Sequence, residues 1–159
     1  MAYADRASVR RVREALEERG LSAEMVELEQ TARSAVEAAE ALGCRVEQIV
    51  KSLVFRGSES GGSILVLASG PNRVNEEYLS ALVSEPVEKA DAAFVRDKTG
   101  YAIGGVPPFG HAEPHLTFVD EDLMRQEAVW AAGGHTHVVF GLRPAELLEA
   151  SGGEVIPVQ

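Results

Sequence analysis

Two apolar runs constrain the fold most. Ile49-Val50-Lys51-Ser52-Leu53-Val54-Phe55 and Ile64-Leu65-Val66-Leu67-Ala68 flank the flexible stretch Gly57-Ser58-Glu59-Ser60-Gly61-Gly62. Successive strand residues point to opposite faces, so a run that is apolar at both parities has no face to give to water. The pair therefore reads as a long hairpin at the centre of a sheet covered on both sides. With 159 residues, 45% hydrophobic and 25% charged, the chain is long enough for one domain with a substantial core.

The remaining pattern alternates helices with short strands. A helix is expected from about Asp5 to Arg19 with Gly20 as its stop, then a strand around Glu24 to Leu28. Ser34-Ala35-Val36-Glu37 has the form of a capping box opening a helix that ends at Gly43. Asn75 and Asp91 are placed to cap helices reaching about Val83 and Asp97. Leu116 to Val119 reads as a strand ending at Asp120. Val129 to Ala132 and His137 to Phe140 read as two more, joined through Gly133-Gly134. Pro144 opens a last helix to Ala150, before the short apolar segment Val155-Ile156. The fold class is α/β of the α+β type: a single domain, residues 1–159, with a central mixed, largely antiparallel sheet flanked by helices.

Lys51 interrupts the first run on the face shared by Ile49, Leu53 and Phe55. An ammonium there must reach water, meet a carboxylate or open into a cleft, because an unpaired buried charge is strongly unfavourable. With only three lysines against twelve arginines, this is not a lysine-rich surface reaching inward. A gatekeeper on an edge strand, or a stem that snorkels, competes with a catalytic lysine.

A net charge of −10 argues against nonspecific coating of nucleic acid. Within the first twenty positions, however, five arginines stand against four acids, so that segment is locally basic. Helical spacing puts Arg6, Arg10 and Arg13 on one stripe and Val9, Val12 and Leu16 on another, giving either a nucleic-acid patch or a solvated face. No stretch approaches the roughly 20 apolar residues needed to span a bilayer, so no membrane role is expected. The lone Cys44 excludes an internal disulfide and fits a reducing cytoplasm.

Thr99 to Gly110 holds four glycines and two prolines in twelve residues. Such a loop can present backbone N–H groups to an oxyanion, and it can equally be a turn-rich connector. It matches neither a P-loop nor a dinucleotide fingerprint.

Taken in order, these pieces resemble the YbaK/EbsC family, which is related to the editing insertion of bacterial prolyl-tRNA synthetases. The resemblance is carried by Ile49 to Phe55, Thr99-Gly100-Tyr101, Gly104-Gly105-Val106-Pro107-Pro108-Phe109-Gly110, Val119-Asp120, Gly133-Gly134 and Pro144-Ala145-Glu146-Leu147-Leu148. It implies a freestanding deacylase, without cofactor or metal, that hydrolyses the ester of a mischarged tRNA bearing cysteine, alanine, serine or threonine. An aminoacyl-tRNA synthetase is a second candidate partner. The family's lysine falls on Lys51, its Gly-x-x-x-Pro loop on Gly104, Gly105, Val106 and Pro108, its aspartate on Asp120, and its late glycines on Gly133 and Gly134. Pro107 stands where many relatives have serine, and His135 departs from a basic or small polar residue. Tyr101, Asp120, Gly133, Gly134 and His135 are thus candidates for substrate binding. In relatives that remove cysteine, the resemblance implies attack by the substrate's own thiol.

The residues also admit rivals. Asp120 can serve as the cap of a helix at Glu121. Tyr101 can stack on a terminal adenosine or lie in the core, and for Trp130 the core is favoured. Cys44 can be a nucleophile or a small core thiol. His111 with His115, and His135 with His137, allow a zinc hydrolase, although Pro114 breaks any helix aligning the first pair. A noncatalytic module of this fold that binds aminoacyl-tRNA or a synthetase is the remaining alternative.

Overall fold

The computed structural model describes Tyr3, residues 5–29 and residues 34–159. Its elements run α1 (Ala7–Glu18), β1 (Met25–Glu27), α2 (Ala35–Leu42), β2 (Val50–Gly57), β3 (Ser63–Ser69), α3 (Glu76–Val83), β4 (Val87–Lys89), α4 (Ala92–Thr99), β5 (Leu116–Asp120), β6 (Val129–His135), β7 (Val138–Leu142), α5 (Pro144–Ser151) and β8 (Glu154–Ile156). Short 3-10 turns occupy Val46–Gln48 and Leu123–Arg125.

The apolar hairpin sits where expected. β2 and β3 pair antiparallel from Val50 against Ser69 to Arg56 against Ser63, at the centre of a five-stranded sheet ordered β4-β2-β3-β5-β8. Val50, Val54, Leu65 and Leu67 join Val12 and Leu16 of α1 and Phe140 of β7 in one core. Phe55, Ile64, Val66 and Ala68 join Leu79 of α3 and Phe118 of β5 in another. Opposite faces of the hairpin thus bury against different layers, which is why neither run tolerates a polar parity. The β3–β5 and β5–β8 pairs are parallel and the others antiparallel, so the mixed, largely antiparallel character holds.

Local capping matches the sequence. Ser34, Asn75 and Asp91 accept from the backbone N–H groups of Glu37, Tyr78 and Phe94, while Gly43 and Gly100 close α2 and α4 in the left-handed conformation. Val9, Val12 and Leu16 bury the apolar stripe of α1.

Three expectations change. The sheet is divided: β1-β7-β6 forms a separate three-stranded sheet, touching the larger one through an isolated bridge between Ile49 and Trp130. Gly133 and Gly134 do not join two strands. They lie inside β6 as a register shift between Ala132 and His135, and the chain reverses at Thr136-His137. β4 was not expected, because Val87-Glu88-Lys89 is short, mostly charged and lies on a sheet edge, where no apolar pattern is needed.

Candidate active site

The split between the sheets creates the cleft. β4 pairs with β2 only at Phe55, Arg56 and Gly57, and the Ile49–Trp130 bridge lies at the other end. Between them the outer edge of Lys51-Ser52-Leu53 opens into two adjoining chambers of about 560 Å³ and 270 Å³. Both are lined by Lys51, Ser52, Leu53, Ile103, Gly104 and Val106. The larger adds Asn72, Arg73, Glu76 and Lys89; the smaller adds Trp130, His135 and Thr136.

Lys51 is half-buried and its Nζ donates to the Asn72 carbonyl at 2.6 Å. Burial pushes its pKa below the ordinary lysine value; the Arg73 charge lowers it further, Asp120 pulls it up, and Lys89 lowers it again. Asp120, 1% exposed, lies one step behind. Its Oδ2 accepts from the Ser69 N–H at 2.9 Å and the Asn72 Nδ2 at 2.8 Å, and its Oδ1 accepts from the Asp122 N–H at 2.9 Å. Asp120 thus has two roles: Oδ1 takes the N–H two residues on, as a cap at Glu121 would, at the turn leading into the 3-10 turn from Leu123, while Oδ2 ties the β3 end to the turn carrying Asn72. Asn72 also donates to Asp122 Oδ2 at 2.7 Å, so one buried amide orients the carbonyl that receives Lys51.

The glycine loop faces Lys51 across the cleft. Gly104, at φ 93°, has no room for a Cβ, which would sit 2.7 Å from the Thr136 methyl. A Cβ on Gly105 would lie 2.9–3.0 Å from the Gly134 and His135 backbone, and one on Gly134 would lie 2.6 Å from the Ser8 carbonyl oxygen. Loop, bulge and α1 therefore stack backbone on backbone at Gly105 and Gly134, while Gly104 and Gly133 meet the side chains of Thr136 and Val138. The Gly105 N–H is committed to the Ala102 carbonyl at 3.0 Å, and Pro107 and Pro108 have no N–H. Within the Gly104–Pro108 segment, among the described residues, this leaves two N–H groups without a hydrogen-bond partner, those of Gly104 and Val106.

Other candidates separate. His135 lines the smaller chamber, with the Tyr3 ring 4.4 Å away; burial lowers its pKa, as do Arg6 and His137, against the pull of Glu27. Tyr101 is 2% exposed in the core, with Arg11 over its ring at 4.8 Å, so no open face is left for a base to stack on. Arg10 and Arg13 line neither chamber, and Arg6 approaches only through its influence on His135. Sequence reasoning missed Asn72, Arg73 and Lys89. Of these, only Asn72 carried a signal, as part of Gly70-Pro71-Asn72 in a strand-to-helix connection.

The rival centres are weaker. Burial raises the Cys44 thiol's pKa, away from the thiolate that a nucleophile requires. His111 and His115 do meet despite Pro114, in a loop, as a 2.8 Å hydrogen-bonded pair. Among the described residues, no three His, Cys, Asp or Glu side chains gather in a way that could hold a metal.

The sequence profile of the aminoacyl-tRNA editing domain matches residues 29–150. The chain belongs to that family. A Bacillus subtilis protein of uncharacterized role, YwhH, is 32% identical over 132 residues, covering 83% of each chain. EbsC of Enterococcus faecalis, described by name as a candidate Cys-tRNA(Pro)/Cys-tRNA(Cys) deacylase, is 26% identical over 76% of this chain and 74% of its own. A crystal structure described as a candidate trans-editing enzyme for prolyl-tRNA synthetase superposes with a TM-score of 0.91 at 46% identity, covering 97% of this chain and 98% of that one. The likeness to YbaK/EbsC proteins and the fold class therefore both hold for this editing domain. Among the described residues, no helix is long and apolar enough to cross a membrane.

Proposed function

We propose that this editing domain hydrolyses, in trans, the ester between a small amino acid and the terminal ribose of a mischarged tRNA, with cysteine, alanine, serine or threonine as the acyl group. The observation that carries the reading is the opposition of Lys51 to the Gly104–Pro108 loop across one cleft. Water adds to the ester carbonyl, the bond to the ribose oxygen breaks, and the amino acid leaves as its carboxylate. Negative charge builds on the carbonyl oxygen, and the N–H groups of Gly104 and Val106 are available to meet it. Protonated Lys51 cannot be a general base. Its charge, with Arg73 and Lys89, outweighs that of Glu76 and makes the lining of the larger chamber basic on a chain of net charge −10, which suits the phosphates of an acceptor end.

A panel of purified Cys-, Ala-, Ser- and Thr-tRNA tests the reaction. Hydrolysis of at least one is expected, undiminished by a chelator and needing no nucleotide. Loss with chelator and recovery with zinc would restore the histidine-based hydrolase. Binding of charged tRNA with no release of amino acid from any member would favour the noncatalytic module, and failure to bind a synthetase would remove that partner.

The arginine stripe gives a second test. Replacing Arg6, Arg10 and Arg13 together should weaken tRNA binding and flatten its salt dependence, by about 0.7–0.9 of a logarithmic slope unit for each phosphate that is no longer neutralised. Hydrolysis of a minimal aminoacyl ester lacking the acceptor stem should be nearly unchanged. An unaltered salt slope in the folded triple mutant assigns these arginines to a solvated face.

A further inference from the structure

Behind the glycine loop lies a hydrogen-bond chain that the proposed reaction does not use. Ser63 Oγ lies 2.5 Å from His115 Nδ1, His115 Nε2 lies 2.8 Å from His111 Nδ1, and His111 Nε2 lies 2.6 Å from the Pro107 carbonyl oxygen. The protonation pattern follows from the terminal partner. A carbonyl only accepts, so His111 must carry its proton on Nε2. In neutral His111, Nδ1 then accepts, His115 must donate from Nε2, and the Ser63 hydroxyl must donate to His115 Nδ1. One added proton can be accommodated by reversing the two upper bonds. A second leaves two N–H groups facing each other at 2.8 Å and breaks the pair.

We propose that His111 is a positioning residue for editing: its Nε2–H holds the Pro107 carbonyl, and so fixes the loop that presents Gly104 and Val106 to the cleft, while His115 and Ser63 lock the ring's tautomer. This rests on the deacylase reading for the loop's task. The geometry supports a brace. Pro107, Pro108 and Phe109 are buried, the proline φ angles are fixed, and Pro108 narrows the Pro107 ψ, so the hydrogen bond from His111 has only a small residual swing of the Pro107 carbonyl to hold. The chain's other end is Ser63 at the start of β3, so the loop is tied to the central hairpin.

The surroundings favour the neutral form of both rings. Burial lowers the His111 pKa to about 4; the Pro107 bond opposes this, and His115 and Arg19 add to the fall. Burial likewise lowers His115, opposed by Glu113 and assisted by Lys98. Facing this pair are Arg19 from the end of α1, stacked on Phe109 at 5.0 Å, and Tyr101, whose ring lies 6.1 Å from His111 under Arg11. Lys98 and Glu113, paired at 3.4 Å, also act on His115.

Two polar substitutions separate a brace from a merely polar core position. The glutamine amide nitrogen reaches the place of Nε2, whereas asparagine reaches only that of Nδ1. His111→Asn should lower kcat on the preferred charged tRNA by about tenfold with KM nearly unchanged, and His111→Gln should recover most of it. In the absence of substrate, the amide NMR resonances of Gly104 and Val106 should shift in His111→Asn and return in His111→Gln, and the wild-type His111 nitrogen shifts should report an Nε2–H tautomer at pH 7. Wild-type kcat should fall as pH drops toward 4, and the fall should be shallower in His111→Gln. Equal kcat in both variants, or unmoved loop resonances, overturns the brace. A wild type inactive on every charged tRNA, with the loop resonances responding as described, sinks the deacylase reading and leaves the brace standing as a structural device.

Discussion

Lys51→Ala is expected to lower turnover on the preferred charged tRNA at least tenfold, about 1.4 kcal/mol in the barrier. Without Nζ the cleft loses the cation held by the Asn72 carbonyl, and Arg73 and Lys89 remain as the other cations of the larger chamber's lining. Thermal stability should change little, because removing a desolvated charge offsets the packing lost with the stem. Lys51→Arg should also be impaired: a planar guanidinium does not reproduce a compact ammonium in this space. The pH profile adds a sign. Burial places the Lys51 pKa below the ordinary lysine value, so if the charged form acts, activity falls as pH rises through that lowered pKa. The same shift means that the fold bears the burden of a desolvated charge at neutral pH and is relieved of it in the window between the lowered pKa and 10.5. Wild-type turnover in a folded Lys51→Ala protein would return this residue to a gatekeeper on an exposed strand edge.

Gly134→Ala is expected to be strongly destabilising, because backbone strain and a backbone clash coincide at one added methyl group. At φ 98° an L side chain is strained, roughly 1–2 kcal/mol. Its Cβ would also lie 2.6–3.1 Å from the Ser8 and Val9 backbone, where no side chain can rotate aside. Overpacking of that kind costs about 1–3 kcal/mol, so a total near 3 kcal/mol and a fall in Tm on the order of 10 °C are expected. Gly152→Ala is the control: its φ is 66°, but nothing lies within 4 Å of the added carbon. Only the conformational part, about 1 kcal/mol, should be lost there. Similar Tm changes in the two variants would show that the packing against α1 yields without penalty.

Several residues could be read before any coordinates. The hairpin was legible because both parities of two runs are apolar, a pattern that only a doubly covered strand satisfies. Ser34, Asn75 and Asp91 announced helix starts because capping is settled within three residues. Lys51 stood out for a negative reason, the expense of a charge on a buried face. Through the ordered motifs it also led to the family that the sequence profile matches.

What failed was non-local. Gly133-Gly134 looked like a turn between strands, since glycine permits many conformations and does not name its own. Its place in a bulge was decided by the approach of α1 on one side and Gly105 on the other. Asp120 looked like a cap from its neighbours, and it does take the Asp122 N–H, but its other partners, Ser69 and Asn72, lie about fifty residues earlier. Arg73 and Lys89 are ordinary surface charges in sequence, and they become the rim of a cleft only because β4 stops short along β2. Burial periodicity and capping are short-range physics, so the sequence alone determined most of the elements and the lysine they expose. Which backbones touch, and therefore where the cleft opens and which groups ring it, depends on contacts between distant segments, and that was decided only in the tertiary structure.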